Sequence, residues 1–300
     1  MSKKSNIQYQ IKKELSKETK YGESKKEAKR LAKEKSIRTG EPYKPPRGIY
    51  STKTYSDYTE SATTFANYCM KNHSEIRNIY DCEKYIPEYI SDCRDRNLSE
   101  WTINKYIYSL SSVYHKEAEE LGAVKGVRSR ANVKRCRNAE DHKLRQQERY
   151  QNVVTLVKAT GCRHKELLRL RKEDFRENAD GTMSVFKRGK NNLHRWCLVD
   201  PGLTDFVRKY VTNKDTVEIA GEQRLFKKSE VPSKLPLHDC RCDYAKALYE
   251  YYSEKGYANG KMYHCRKDMI GCTFDKGVLE KVSFDLQHSR NNVVISYLWK

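Results

Sequence analysis

Three stripes of apolar and aromatic side chains between residues 55 and 114 restrict the fold most. The intervals are mostly three and four, as burial along one face of a helix requires. The first holds Tyr58, Phe65, Ala66, Tyr68 and Cys69, and the second Tyr85, Ile86, Tyr89, Ile90 and Cys93. The third holds Trp101, Ile103, Tyr106, Ile107, Leu110, Val113 and Tyr114, with Ser99 placed to cap it. Three such helices in about 60 residues bury their stripes only against one another, so a small helical domain is predicted over 49–135. The aromatic residues are read as its core, ahead of a base-stacking platform.

The segments on either side are different. Residues 1–48 carry fifteen Lys/Arg against six Asp/Glu in the first fifty positions, and offer little apolar surface. Glu23 to Lys35 reads as a solvated helix or an arm that orders on a partner, and the run from Gly40 to Gly48 breaks it. Residues 1–48 are therefore expected to form a basic, arm-like N-terminal segment. A second charged, apolar-poor stretch runs from about 124 to 150, with the linker itself at 136–144.

Residues 145–300 carry a mixed pattern. Val153, Val154, Leu156 and Val157 mark a helix that ends at Thr160-Gly161, and another begins near Arg163. Met183 to Phe186 and Trp196 to Val199 flank Gly189-Lys190-Asn191-Asn192 and predict a β-hairpin. Helices follow over Thr204 to Val211 and Asp239 to Tyr252, and a short one near the end carries Tyr297. The fold class expected is mainly α with a small β-hairpin or sheet: a helical domain followed by a mixed α+β domain.

Charge narrows the partner. Sixty basic and forty acidic side chains leave a net charge of +20, which favours a polyanion, nucleic acid before a membrane surface. No stretch approaches the roughly 20 apolar residues of a membrane span, and no apolar run follows the basic start. The protein is expected in the cytoplasm, associated with the nucleoid. The ten cysteines are then read as reduced thiols. Cys240, Cys242, His264 and Cys265 fit no usual zinc spacing, so no zinc site is expected there; no Gly-rich phosphate loop appears, and no cofactor is expected.

Tyr297 stands nine positions after His288. A phenol is a weak nucleophile at its free pKa and needs cationic neighbours to act as one. The preceding 150 residues supply them. Thr160-Gly161-Cys162-Arg163 opens a helix with Glu166 one turn on, Lys190 follows Gly189 at the hairpin tip, and His238 precedes Arg241 by three residues. A guanidinium presents a fork of donors suited to two phosphate oxygens.

Taken in order, Arg163 with Glu166, Lys190, His238 with Arg241, His288 and Tyr297 resemble the catalytic domain of the tyrosine recombinases of the phage and transposon integrase class. The resemblance covers 145–300. The 49–135 bundle is similar to that family's core DNA-binding domain in size, helicity and position only. Four departures stand out. Gln287 occupies the place where the family commonly has Gly, and Cys162 precedes the first Arg. Lys187 competes with Lys190 as the hairpin lysine, and residues 255–280 are longer than the shortest members need.

The resemblance implies a site-specific DNA recombinase or integrase of a mobile element, working through a 3′-phosphotyrosyl intermediate. It implies that Arg163 and Arg241 clamp the scissile phosphate, that His238 and His288 hydrogen-bond it, and that Lys190 protonates the 5′-hydroxyl. Tyr297 would be the nucleophile and Glu166 would hold its neighbours in register. It implies double-stranded DNA as partner, a homo-tetramer on paired sites, and no metal, and it leaves room for accessory DNA-bending or excision factors. Two alternatives use the same residues: a type IB topoisomerase-like nicking and resealing enzyme, and a non-catalytic DNA-binding factor with a decayed site.

Overall fold

Ser51 and Ser99 begin the two helices around which the first part of the chain packs. The Oγ of each accepts from a backbone N–H three residues on, satisfying a donor that a helix start leaves open. The computed structural model describes residues 6–73, 75–128, 147–189, 193–235, 237–266 and 269–298. These belong to two compact units, Met1–Lys134 and Arg135–Lys300. The expected linker, 136–144, lies outside the described residues.

In the first unit, helices α1 (Ile7–Ser16), α2 (Lys25–Thr39), α3 (Thr52–Asn72), α4 (Ile86–Asp95) and α5 (Glu100–Tyr114) follow in order. The stripes of α3, α4 and α5 meet in one core, with Phe65, Tyr89, Ile90, Ile103, Ile107 and Leu110 buried. Tyr89 lies between Phe65 and Tyr106, with ring centroids 5.1 and 5.6 Å away. These aromatics are core residues, whereas Trp101 and Tyr108 face solvent.

Residues 1–48, expected to stand apart as an arm, are divided. Helix α1 places Ile7, Ile11 and Leu15, one turn apart from each to the next, in the same core as α3 and α5. Glu14 is buried beside them and accepts from Lys17 and from the Tyr80 hydroxyl. Helix α2 buries no residue, as its charge pattern predicts, and Arg30 pairs there with Glu27 and Glu34.

The second unit starts with α6 (Glu148–Thr160) and the single turn α7 (His164–Leu167). Strands β1 (Phe175–Glu177), β2 (Met183–Arg188) and β3 (His194–Leu198) form an antiparallel sheet, in which Val185 faces Cys197 and Lys187 faces Arg195. Val185 and Cys197 point into the core, while Trp196 faces the other way under the Arg176 guanidinium. Helix α8 (Thr204–Asn213), the ribbon β4 (Val217–Ile219) with β5 (Glu222–Arg224), and α9 (Leu237–Glu254) come next. The hairpin β6 (Met262–His264) with β7 (Thr273–Asp275) leads through the Asp275 cap into α10 (Lys276–Asp285), and α11 (Asn291–Leu298) ends the described chain.

The chain is mainly α with small antiparallel sheets. Among the described residues no cysteine is in a disulfide, and no helix is long and apolar enough to cross a membrane.

Candidate active site

Gly161 ends α6 in a left-handed turn, φ 59°, a conformation glycine adopts without cost. The turn directs its carbonyl at Arg241 on α9, whose Nη1 donates to it. Arg163 follows in an extended conformation. Its N–H donates to Glu166 Oε2 at 2.8 Å, and its Nη1 to Glu166 Oε1 at 2.6 Å. The second guanidinium, Arg241 Nη1, is 4.0 Å from the same carboxylate. Burial works to raise the Glu166 pKa, but Arg163 and Arg241 outweigh it, so the carboxylate is held below its ordinary range and stays ionised.

The two arginines converge on one atom. Nη2 of Arg163 and Nη2 of Arg241 each donate to the carbonyl of Leu286 at 3.2 Å. That carbonyl lies just after α10. The next residue, Gln287, adopts φ 55°, and His288 N–H donates back to Ser283 O at 2.8 Å. The turn is therefore the left-handed one that glycine favours, made here by glutamine.

Tyr297 lies in this cluster, 7% exposed. Its ring stacks on His238 with centroids 5.0 Å apart and 14° between planes. The His288 ring is 5.6 Å away, and Arg241 Cζ is 5.4 Å from the ring centre. Burial, then the charges of Arg241 and Arg163, push the His288 pKa down to about 4, so the imidazole is neutral at neutral pH. Arg241 Nε and His288 Nε2 are both buried without a hydrogen-bond partner among the described residues. Such atoms are costly to leave unpaired unless something polar visits them.

Helix α11 holds Tyr297 inward by burying Val294 and Ile295. Ile295 packs with Cys265 and Met269, and Tyr263, Cys272 and Phe274 pack against that group. Within 255–280, for whose extra length the sequence offers no mechanism, these described residues thus lie against the terminal helix.

The structure brings Arg163, Glu166, His238, Arg241, His288 and Tyr297 together, and Lys190 lies outside the described residues. Lys187 is buried in β2, and its Nζ donates to Asp285 O at 2.8 Å. Asp285 in turn accepts from Leu198 N at 2.7 Å and from the Tyr252 hydroxyl at 2.6 Å. Sequence reasoning missed Asp285, because a lone acidic residue before a turn has no signature. It also had no means of finding the backbone carbonyls of Gly161 and Leu286. Among the described residues one group has metal-ligand character: His238, Asp239 and Cys242, whose donor atoms lie within 4.8 Å of one another. His238 Nδ1 is 3.7 Å from Cys242 Sγ.

No protein-family model matches the sequence, and neither does any curated protein. Solved structures do match. One is XerH site-specific recombinase bound to a palindromic difH substrate in a post-cleavage complex. It aligns with a TM-score of 0.50 at 13% identity, over 97% of this chain and 90% of that one. A pre-cleavage complex of XerH with difH aligns at 0.47 and 13% identity, over 98% and 95%. A Tn1549 transposon integrase in complex with transposon right end DNA aligns at 0.39 and 9% identity, over 90% and 94%. With both units covered by the first alignment, and with the helix, hairpin and terminal-helix order described above, the chain has the fold of the tyrosine recombinases.

Proposed function

We propose that the protein is a site-specific DNA recombinase or integrase that breaks and rejoins DNA through Tyr297. The observation that carries this reading is the pair of buried, unpartnered polar atoms, Arg241 Nε and His288 Nε2, beside the Tyr297 ring. A phosphodiester entering there supplies anionic oxygens to both. In-line attack places further charge on the non-bridging oxygens, and preorganised donors stabilise that charge.

The chemistry follows from the residue types. Tyr297 Oη attacks phosphorus as the bond to the 5′-oxygen breaks. The phenol proton passes towards His238, which stacks on the same ring. Arg163 and Arg241 hold the phosphate, and neutral His288 donates to it in its Nε2–H tautomer. Lys190 gives a proton to the departing 5′-oxygen. The 3′-phosphotyrosyl bond conserves the energy of the broken bond, and attack by a 5′-hydroxyl reverses the step. Glu166 holds the two guanidinium groups in register, pairing with Arg163 and lying 4.0 Å from Arg241 Nη1. Strand exchange needs two cleavages on each of two duplexes, hence a tetramer on paired sites. Accessory DNA-bending or excision factors could assist it, and a mobile element is the proposed setting, in the cytoplasm with the nucleoid.

The test is a nicked duplex built from the ends of the protein's own element, which lets the 5′ fragment leave and traps the covalent species. Wild type is expected to yield a detergent-resistant, protease-sensitive shifted band, and Tyr297→Phe none while still binding DNA. An adduct that persists in Tyr297→Phe defeats the assignment. An adduct without exchange between two sites would point to nicking and resealing instead.

A further inference from the structure

The residue that departs from the family pattern, Gln287, has work to do in this chain. Its side chain is 6% exposed and crosses to the β2–β3 hairpin. Nε2 donates to Lys187 O at 2.7 Å and to Leu193 O at 3.2 Å, one carbonyl on each arm. Gly189 N–H also donates to Leu193 O, at 2.9 Å, closing the arms just below the tip. Gln287 Oε1 lies so close to Gly189 that a Cβ there would stand 2.1 Å from it. Glutamine at φ 55° bears a backbone cost that glycine would avoid, and its Oε1 is buried without a partner among the described residues. Both costs are offset by the cross-hairpin bonds.

Its neighbours do related work. Asp285 holds β3 through Leu198 N, its carbonyl holds Lys187 Nζ, and the Leu286 carbonyl receives both arginines. Residues 285–287 therefore connect the guanidinium pair on one side to the hairpin on the other.

We infer that Gln287 is a positioning residue which fixes the β2–β3 hairpin against the arginine pair, and that Gly189 leaves the room its side-chain amide occupies. The inference rests on the reading above, in which the hairpin carries Lys190, the proton donor to the leaving group. Gln287 touches no reacting atom. Its effect belongs to the step in which the 5′-oxygen departs, not to DNA binding or to activation of Tyr297.

The experiment compares nicked duplexes with oxygen or sulfur at the 5′-bridging position. A thiolate leaves without a proton, so a defect in leaving-group protonation vanishes on the sulfur substrate. Gln287→Ala and Gln287→Gly are expected to slow adduct formation about tenfold to a hundredfold with oxygen and hardly at all with sulfur. Gln287→Gly removes the backbone cost and so guards against misfolding. Gly189→Ala should be slowed in the same way. The double variant Gly189→Ala/Gln287→Ala should be no slower than Gly189→Ala alone, because the clash with Gln287 has gone and only the 3.1 Å approach to Leu193 O remains. Wild-type rates with both variants, or equal slowing on both substrates, would overturn the inference.

If wild type forms no adduct on either duplex, the recombinase reading fails on its own. The clamp is then judged by hydrogen exchange across residues 184–198. Faster exchange in Gln287→Gly than in wild type supports it, and unchanged exchange overturns it.

Discussion

His288 is held neutral by burial and by the charges of Arg241 and Arg163, which bring its pKa to about 4 from an ordinary 6.5. The unfolded chain therefore takes up that proton first as pH falls. Stability contributed by this group is fully present above pH 6.5 and is lost progressively as pH falls to about 4. His288→Gln removes the titration and keeps a donor. Melting curves should show wild type losing ground to the variant between those pH values, and a constant difference across the window would refute the assignment. Gly161 makes a second case at this scale. A Cβ there would lie 2.3 Å from Tyr244 Cδ1, in a fully buried ring, and φ is 59°. Gly161→Ala should cost about 1–3 kcal/mol by overpacking. It should also displace the carbonyl that Arg241 grips, so adduct formation should fall by more than DNA affinity does.

Between residue and molecule, the element that matters most is α11. It is a helix of eight residues, too short to be stable alone, and depends on what it packs against. Ile295 is its anchor on the group formed with Cys265 and Met269. Ile295→Ala removes a buried side chain at a cost of about 2–5 kcal/mol. The loss should appear first as local opening of the terminal helix. Hydrogen exchange over 291–298 should accelerate and adduct yield should drop, with DNA affinity largely retained. A variant with unchanged exchange there would show that the β6–β7 segment does not support the helix. The β2–β3 hairpin is the matching element on the other side of the cluster, tied down through Asp285 and Gln287.

At the scale of the molecule, two units carry separate cores, and the first begins earlier than its basic composition suggests. Ile7, Ile11 and Leu15 each contribute about 1.5–3 kcal/mol by burial, together comparable with the whole stability of a small domain. A fragment spanning 21–134 should therefore fail to show cooperative melting, whereas 6–134 should melt cooperatively. Equal behaviour of the two would mean that α1 is dispensable. The net charge of +20 belongs to this scale as well. If the partner is DNA, affinity should fall a hundredfold or more between about 50 and 200 mM salt, as counterion release requires. A flat salt dependence would exclude a phosphate-backbone interface.

Much of this was legible in the chain because helices announce themselves locally. The intervals in α3, α4 and α5, the serine caps, the glycine after α6 and the paired strands around Gly189 are all short-range patterns, set by backbone geometry and the burial of one face. The spacing of Arg163, Glu166, His238, Arg241, His288 and Tyr297 was legible for the same reason, since each rides on such an element. The role of α1 was hidden by the lysines around its three apolar residues. The contacts that assemble the cluster were not legible at all. Leu286 O meeting Arg163 spans 123 positions, and Gln287 meeting Lys187 spans 100. They use carbonyls that every residue possesses, or a side chain whose meaning depends on what faces it. Local sequence dictates which elements form. Long-range packing, which brings a backbone oxygen of one turn within 3.2 Å of two guanidinium groups from elsewhere in the chain, assembles them into a site.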